Sequence, residues 1–164
     1  MNALKRIIFV LLSMIGIQTI QAEIITYPSG VTPGSWLCFR KEISVEKNAS
    51  HNLLKIAADS KYWLWINGEL VVREGGLKRG PNPKDTYCDI LQNVKGFVAG
   101  KNTVTILVWY FGKEGFSHRN SPTAGVSIDM TIGKQQYESD DSWKVCVHPS
   151  FYIPEGIKPN YRLP

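Results

Sequence analysis

Beyond residue 22 the chain alternates apolar and polar positions with a period of two, and no stretch there carries a helical period. The pattern predicts short strands divided by turn residues. The first is Trp36–Val45, where Trp36 and Cys38 point to one face and Leu37 and Phe39 to the other. A second runs over 53–58 and ends at an Asp59-Ser60 turn. The stretch 103–111 is built almost wholly of strand formers, Thr103-Val104-Thr105-Ile106-Leu107-Val108-Trp109-Tyr110, after a turn over 97–102. Further strands are expected over 87–91, 124–132, 135–138 and 143–147, with Gly133-Lys134 as a hairpin turn.

The clearest local signal is Tyr62-Trp63-Leu64-Trp65-Ile66, then Asn67-Gly68, then Glu69-Leu70-Val71-Val72. Asn-Gly between two such runs specifies a two-residue type I′ hairpin, because both turn positions need positive φ. In that strand Trp63 and Trp65 share one face, while Tyr62, Leu64 and Ile66 take the other. Two segments, 75–84 with its glycines and prolines and 112–123, read as loops. The pattern as a whole predicts an all-β, jelly-roll-like antiparallel β-sandwich.

Composition trims the chain before it adds chemistry. Lys5 and Arg6 precede an apolar run over 7–17, and Ala22 follows a short polar stretch. These are the parts of a secretory signal peptide, expected to be cut before Glu23. The apolar run is too short to span a bilayer comfortably, so an exported protein, periplasmic or extracellular, is expected, without stable membrane insertion. Cleavage leaves 142 of the 164 residues and removes two cations and no acid, lowering the charge from +5 to +3. That balance gives no argument for nucleic acid. The domain is expected over 23–148, with a proline-bearing, linker-like tail over 149–164. A (β/α)₈ barrel, which needs about 250 residues, does not fit in such a chain.

Cys38, Cys88 and Cys146 are an odd set with no Cys-x-x-Cys spacing. Three small buried hydrophobes are expected rather than a disulfide framework. No metal site and no cofactor are expected, since neither a His-x-His nor a His-Glu-x-x-His pattern occurs. His51, His118 and His148 are spread along the chain and read as solvated. Glycoside hydrolysis needs two carboxyl groups flanking one bond. Asp59, Glu69, Glu74, Asp85, Asp89 and Asp129 offer no pair whose spacing stands out, so no catalytic residue is assigned.

The stretch Ala58-Asp59-Ser60-Lys61-Tyr62-Trp63-Leu64-Trp65-Ile66-Asn67-Gly68-Glu69-Leu70-Val71 also resembles a longer signature, that of the accessory β-sandwich of bacterial α-L-rhamnosidases, a galactose-binding-like domain. Two further pieces match in order: Arg79-Gly80-Pro81 followed by Tyr87-Cys88-Asp89, and Gly100-Lys101-Asn102-Thr103-Val104-Thr105-Ile106. The likeness spans roughly residues 36–143, and Pro159-Asn160-Tyr161-Arg162 resembles the connector that follows this domain. In such enzymes a separate (α/α)₆ barrel carries the catalytic carboxylates. The resemblance therefore implies a non-catalytic domain that contacts carbohydrate, including rhamnose-containing glycan, or docks beside a catalytic (α/α)₆ domain. It places Tyr62, Leu64 and Ile66 in the core and an acid at Asp89.

Rival readings are a stand-alone lectin-like module, an enzyme in its own right, and the N-terminal piece of a glycoside hydrolase, which the end at Pro164 favours. For ligand contact, loops at the end of a sandwich are better candidates than strands. The candidate binding residues are Arg79, Asp85, Tyr87 and Asp89 in one loop region and His118, Arg119 and Asn120 in the other.

Overall fold

A computed structural model describes residues 22–76, 88–113 and 123–151. The described strands are β1 (Trp36–Val45), β2 (Asn52–Asp59), β3 (Lys61–Ile66), β4 (Glu69–Gly76), β5 (Asp89–Gln92), β6 (Gly100–Trp109), β7 (Gly125–Ile132), β8 (Gln135–Glu138) and β9 (Lys144–Val147). They form a five-stranded sheet in the order β4-β3-β6-β1-β9 and a four-stranded sheet in the order β5-β2-β7-β8. Every strand pairing among the described residues is antiparallel. Successive strands cross repeatedly between the sheets, the jelly-roll-like sandwich that the alternation predicted.

The inner faces are the apolar half of each alternating pattern. Leu37 and Phe39 from β1, Tyr62, Leu64 and Ile66 from β3, and Val104, Ile106 and Val108 from β6 are buried. They face Leu54 and Ile56 of β2 and Val126, Ile128 and Met130 of β7. Burial of these side chains is the main stabilising term, at roughly 1.5–3 kcal/mol for each fully buried aliphatic group. The Asn67-Gly68 turn has φ of 53° and 83°, the double positive φ that a type I′ hairpin requires.

Three expectations need correction. The segment 97–102 is not all turn: β6 begins at Gly100 and ends at Trp109, so the strand lies earlier than the run of β-formers suggests. Asn102, polar and fully buried, is the reason. Its amide accepts from Val98 N at 2.8 Å and donates to Val98 O at 2.7 Å, closing the turn from inside the strand. The cysteines are not three buried hydrophobes, since Cys88 and Cys146 are exposed and Cys38 is half-buried. His148 is not simply solvated: it is half-buried against the Phe151 ring, 4.4 Å between centroids.

The N-terminal segment completes the smaller sheet. Ile25 bridges Val126 on β7, past the end of β8. Ser127 Oγ donates to Ala22 O at 2.8 Å, and Ser139 Oγ donates to Glu23 O.

Candidate functional site

Strand register brings the described residues that flank 77–87 and 114–122 to one end of the sandwich. Gly76 pairs with Lys61, Lys61 with Trp109, and Trp109 with Trp36, so these residues form one row across four strands. In the other sheet Asp59 pairs with Gly125. The segment 77–87 leaves from Gly76 and returns to Asp89; the segment 114–122 lies between β6 and β7. The described strand ends on either side of both segments therefore share one rim. Arg79, Asp85, Tyr87, His118, Arg119 and Asn120 lie outside the described residues, and only Asp89 of the candidate set lies within them.

Asp89 holds the base of its loop. Its Oδ2 accepts the Tyr62 phenol at 2.8 Å and the Gly76 N–H at 2.9 Å. One carboxylate oxygen thus joins the two residues that flank the loop and ties β5 of one sheet to β3 of the other. Tyr62 reaches it across the core, with its ring lying over Gly75, where an added Cβ would overlap the ring. Only glycine leaves room for the phenol to reach Asp89.

Ser60 holds the base of the second loop. It is fully buried, follows a cis peptide bond from Asp59, donates its N–H to Trp109 O at 3.0 Å, and accepts the Phe111 N–H on Oγ at 3.0 Å. Gly34 N donates to Tyr110 O at 2.8 Å and Tyr110 N to Ser35 O at 2.9 Å, which braces the same segment from the other side. A Cβ on Gly76 would stand 2.9 Å from Ser60 O, so the two loop bases are in contact.

The outer face of the five-stranded sheet is aromatic at this end and charged at the other. Its first row is Lys61, Trp109 and Trp36; its second Trp63, Leu107, Cys38 and Cys146; its third Trp65, Thr105, Arg40 and Lys144. Trp36 stacks on Trp109 at 4.9 Å, on Trp63 at 5.2 Å and on Phe151 at 4.6 Å, and Phe111 meets Trp109 edge-on at 4.5 Å. Toward the far end Glu42 pairs with Arg40 and Lys101, at 2.6 and 2.8 Å. Trp63 and Trp65 share this face, opposite Tyr62, Leu64 and Ile66, as the period of two requires. The sequence reading missed that Trp36 and Phe151 join them. The parity of Trp36 along β1 was the available signal, but cross-strand register was needed to place it beside Trp109.

The rings mostly cover one another. Trp36 is 6% and Trp109 7% exposed, and among the described residues their indole N–H groups have no hydrogen-bond partner. Trp63 and Trp65 remain half-exposed. Among the described residues no group of three His, Cys, Asp or Glu side chains is placed to hold a metal ion.

Comparison with known proteins bears on the fold. No protein-family profile matches the chain, and no curated protein sequence does. Among solved structures, the GH78 family rhamnosidase of Bacillus sp. GL1 superposes with a TM-score of 0.68 at 24% identity, over 77% of this chain and 13% of that enzyme. The Streptomyces avermitilis α-L-rhamnosidase, solved with L-rhamnose, gives 0.59 at 19% identity, over 86% of this chain and 13% of its own. The Pleurotus ostreatus lectin gives 0.53 at 24% identity, over 87% of this chain and 38% of the lectin. The chain thus has the fold of a β-sandwich segment of these rhamnosidases and spans only a small part of their length.

Proposed function

We propose that the chain is a non-catalytic, carbohydrate-associated β-sandwich module that contacts glycan at the rim where the strand ends flanking 77–87 and 114–122 lie. The observation that carries this reading is the junction at Ser60, Gly76 and Asp89, which anchors the bases of both loops side by side. Arg79, Asp85 and Tyr87 on one loop and His118, Arg119 and Asn120 on the other are the ligand-contacting candidates. Asp89 serves them by position: its carboxylate is engaged by Tyr62 and Gly76. Sugar recognition needs planar polar groups beside an apolar wall, and the half-exposed Trp63 ring lies on the sheet face next to this rim. The rhamnosidase and lectin folds support the carbohydrate class, with rhamnose-containing glycan as the first ligand to try.

Four of the described carboxylates already hold partners, which supports a non-catalytic reading. Asp89 is committed as above, Asp129 faces Lys55, Asp140 holds Lys41, and Glu74 pairs with Lys61. Hydrolysis would require two carboxyl groups poised across one bond.

The test is a glycan array with the purified chain, including rhamnose-containing polysaccharides. Binding is expected, and Arg79→Ala together with Arg119→Ala should abolish it at an unchanged melting temperature. Absence of any bound glycan, or binding indifferent to both loops, overturns the reading. Purified chain should not turn over aryl α-L-rhamnoside; turnover that disappears on mutating one acid would refute a non-catalytic module.

A second reading is docking beside a catalytic (α/α)₆ domain. It is favoured by the small share of each rhamnosidase that the fold matches, 13% in two of them. Export is part of the same proposal. Cleavage before Glu23 would leave Ile25 and its bridge to Val126 in place. N-terminal sequencing of the exported protein should begin at Glu23, and an intact Met1 in that fraction would refute it.

A further inference from the structure

Cys38 and Cys146 stand directly opposite each other on neighbouring antiparallel strands, β1 and β9. Both belong to the outer face of the five-stranded sheet, in the row that also holds Trp63 and Leu107. His148 donates its N–H to Trp36 O at 2.7 Å, which makes Trp36 and His148 a hydrogen-bonded pair of the ladder. Such pairs alternate along an antiparallel ladder, so Cys38 and Cys146, two residues along, form another. Opposed residues in a hydrogen-bonded pair lie about 5.5 Å apart at Cα. A disulfide usually spans about 4.4–6.8 Å, most often near that value. The neighbouring Cys146 thiol is close enough to help push the Cys38 thiol up. Cys88 immediately precedes β5 of the other sheet, its Sγ directed at Asp89 O at 3.7 Å.

We propose that Cys38 and Cys146 are a cross-strand redox pair whose disulfide staples the edge strand β9 to β1. Strand β9 has four residues, and the only strand it pairs with among the described residues is β1. Just beyond it, His148 and Phe151 pack toward Trp36. The bond therefore fixes the chain segment that closes the aromatic end of the sheet.

The oxidant is a low-molecular-weight disulfide. Burial, and then the neighbouring Cys146, push the Cys38 thiol up to about 11, so few Cys38 thiolates exist at neutral pH. Cys146 is the exposed partner and reacts first. Its thiolate attacks one sulfur of the oxidant, a mixed disulfide forms, and one thiolate leaves. Cys38 then loses its proton and attacks Cys146 Sγ, expelling the second thiolate. The protein gives up two protons and two electrons, and the oxidant becomes two thiols.

The test uses the purified full chain treated with oxidised glutathione. Non-reducing peptide mapping should join the Cys38 and Cys146 peptides, and in Cys88→Ser, which lacks the other exposed thiol, the intact mass should fall by the two thiol hydrogens. In Cys38→Ser the reaction should stop at a glutathione adduct on Cys146. Oxidation should raise the melting temperature by on the order of 5 °C, and a reducing agent should reverse it. Bridges that contain Cys88, an intermolecular dimer, a wild-type Cys146 adduct that never closes, or no oxidation at all would each overturn the proposal.

Discussion

The phenol of Tyr62 and the carboxylate of Asp89 meet at 2.8 Å across the interior of the sandwich, joining a fully buried ring in one sheet to the first residue of the smaller sheet's edge strand. Each partner makes the other necessary. Asp89 gives the buried phenol its acceptor, and Tyr62 holds the carboxylate where it also takes the Gly76 N–H.

Tyr62→Phe should therefore cost about 1.5–3 kcal/mol, the range for a hydrogen bond to a charged group. Asp89→Asn should cost a similar amount, and the double variant should cost less than the sum. Urea unfolding of the four proteins checks this; strict additivity would show that the pair does not act as a unit.

The hairpin gives a sharper single-site expectation. Gly68 has φ of 83° with open space where a Cβ would go, so a substitution there meets backbone strain and no clash. Gly68→Val should destabilise by about 1–2 kcal/mol. Gly68→Asn should be much milder, since Asn tolerates positive φ. Thermal melting of both variants decides it, and equal losses would refute a turn governed by φ.

Trp36 is the hub of the aromatic face, with three rings within 5.2 Å between centroids. Trp36→Ala should cost about 3–5 kcal/mol, as other large buried truncations do. Trp65 is half-exposed and, among the described residues, stacks on no other ring. Trp65→Ala should cost clearly less. Denaturant midpoints measured side by side test the ranking.

Asp140 supplies a pH dependence. Burial alone would raise its carboxyl, but hydrogen bonds from Ser142 and Lys41 outweigh it and hold the group below its ordinary 3.8. A carboxyl depressed by folding adds stability above its unfolded value, and that stability is lost as the pH falls through the folded value. The contribution should thus be complete near neutrality and fade as the pH drops below 3.8. Asp140 is 54% exposed, so screening limits the effect to about 1 kcal/mol or less. Asp140→Asn should flatten this part of the acid unfolding curve, and an unchanged curve would contradict it.

The sandwich was legible in the sequence because a half-buried strand writes its own alternation. Trp36–Val45 and Gln135–Glu138 appear with the expected bounds, and Tyr62, Leu64 and Ile66 face inward. What depends on two distant segments was not legible. The Cys38–Cys146 register, the Trp36–Trp109 stack and the joining of both loop bases near Ser60 all require knowing which strand lies beside which. Asp89 illustrates the limit. The resemblance, which places an acid there, drew it into the ligand set, while its hydrogen bonds to Tyr62 and Gly76 depend on a strand far back in the chain.

The place of β1 between β6 and the edge strand β9 also governs how the fold is reached. Its main partner is β6, with Trp36 opposite Trp109 and Val45 opposite Gly100. A chain emerging from the ribosome therefore exposes the inner apolar face of β1, and Trp36 and Cys38 on its outer face, until β6 has been synthesised. The β3–β4 and β7–β8 hairpins can form locally, but the β1–β6 pairing must first close a long loop. Refolding of such a topology belongs to the slow regime, roughly milliseconds to seconds. Until then, Trp36 and Cys38 are available to any other strand edge they meet.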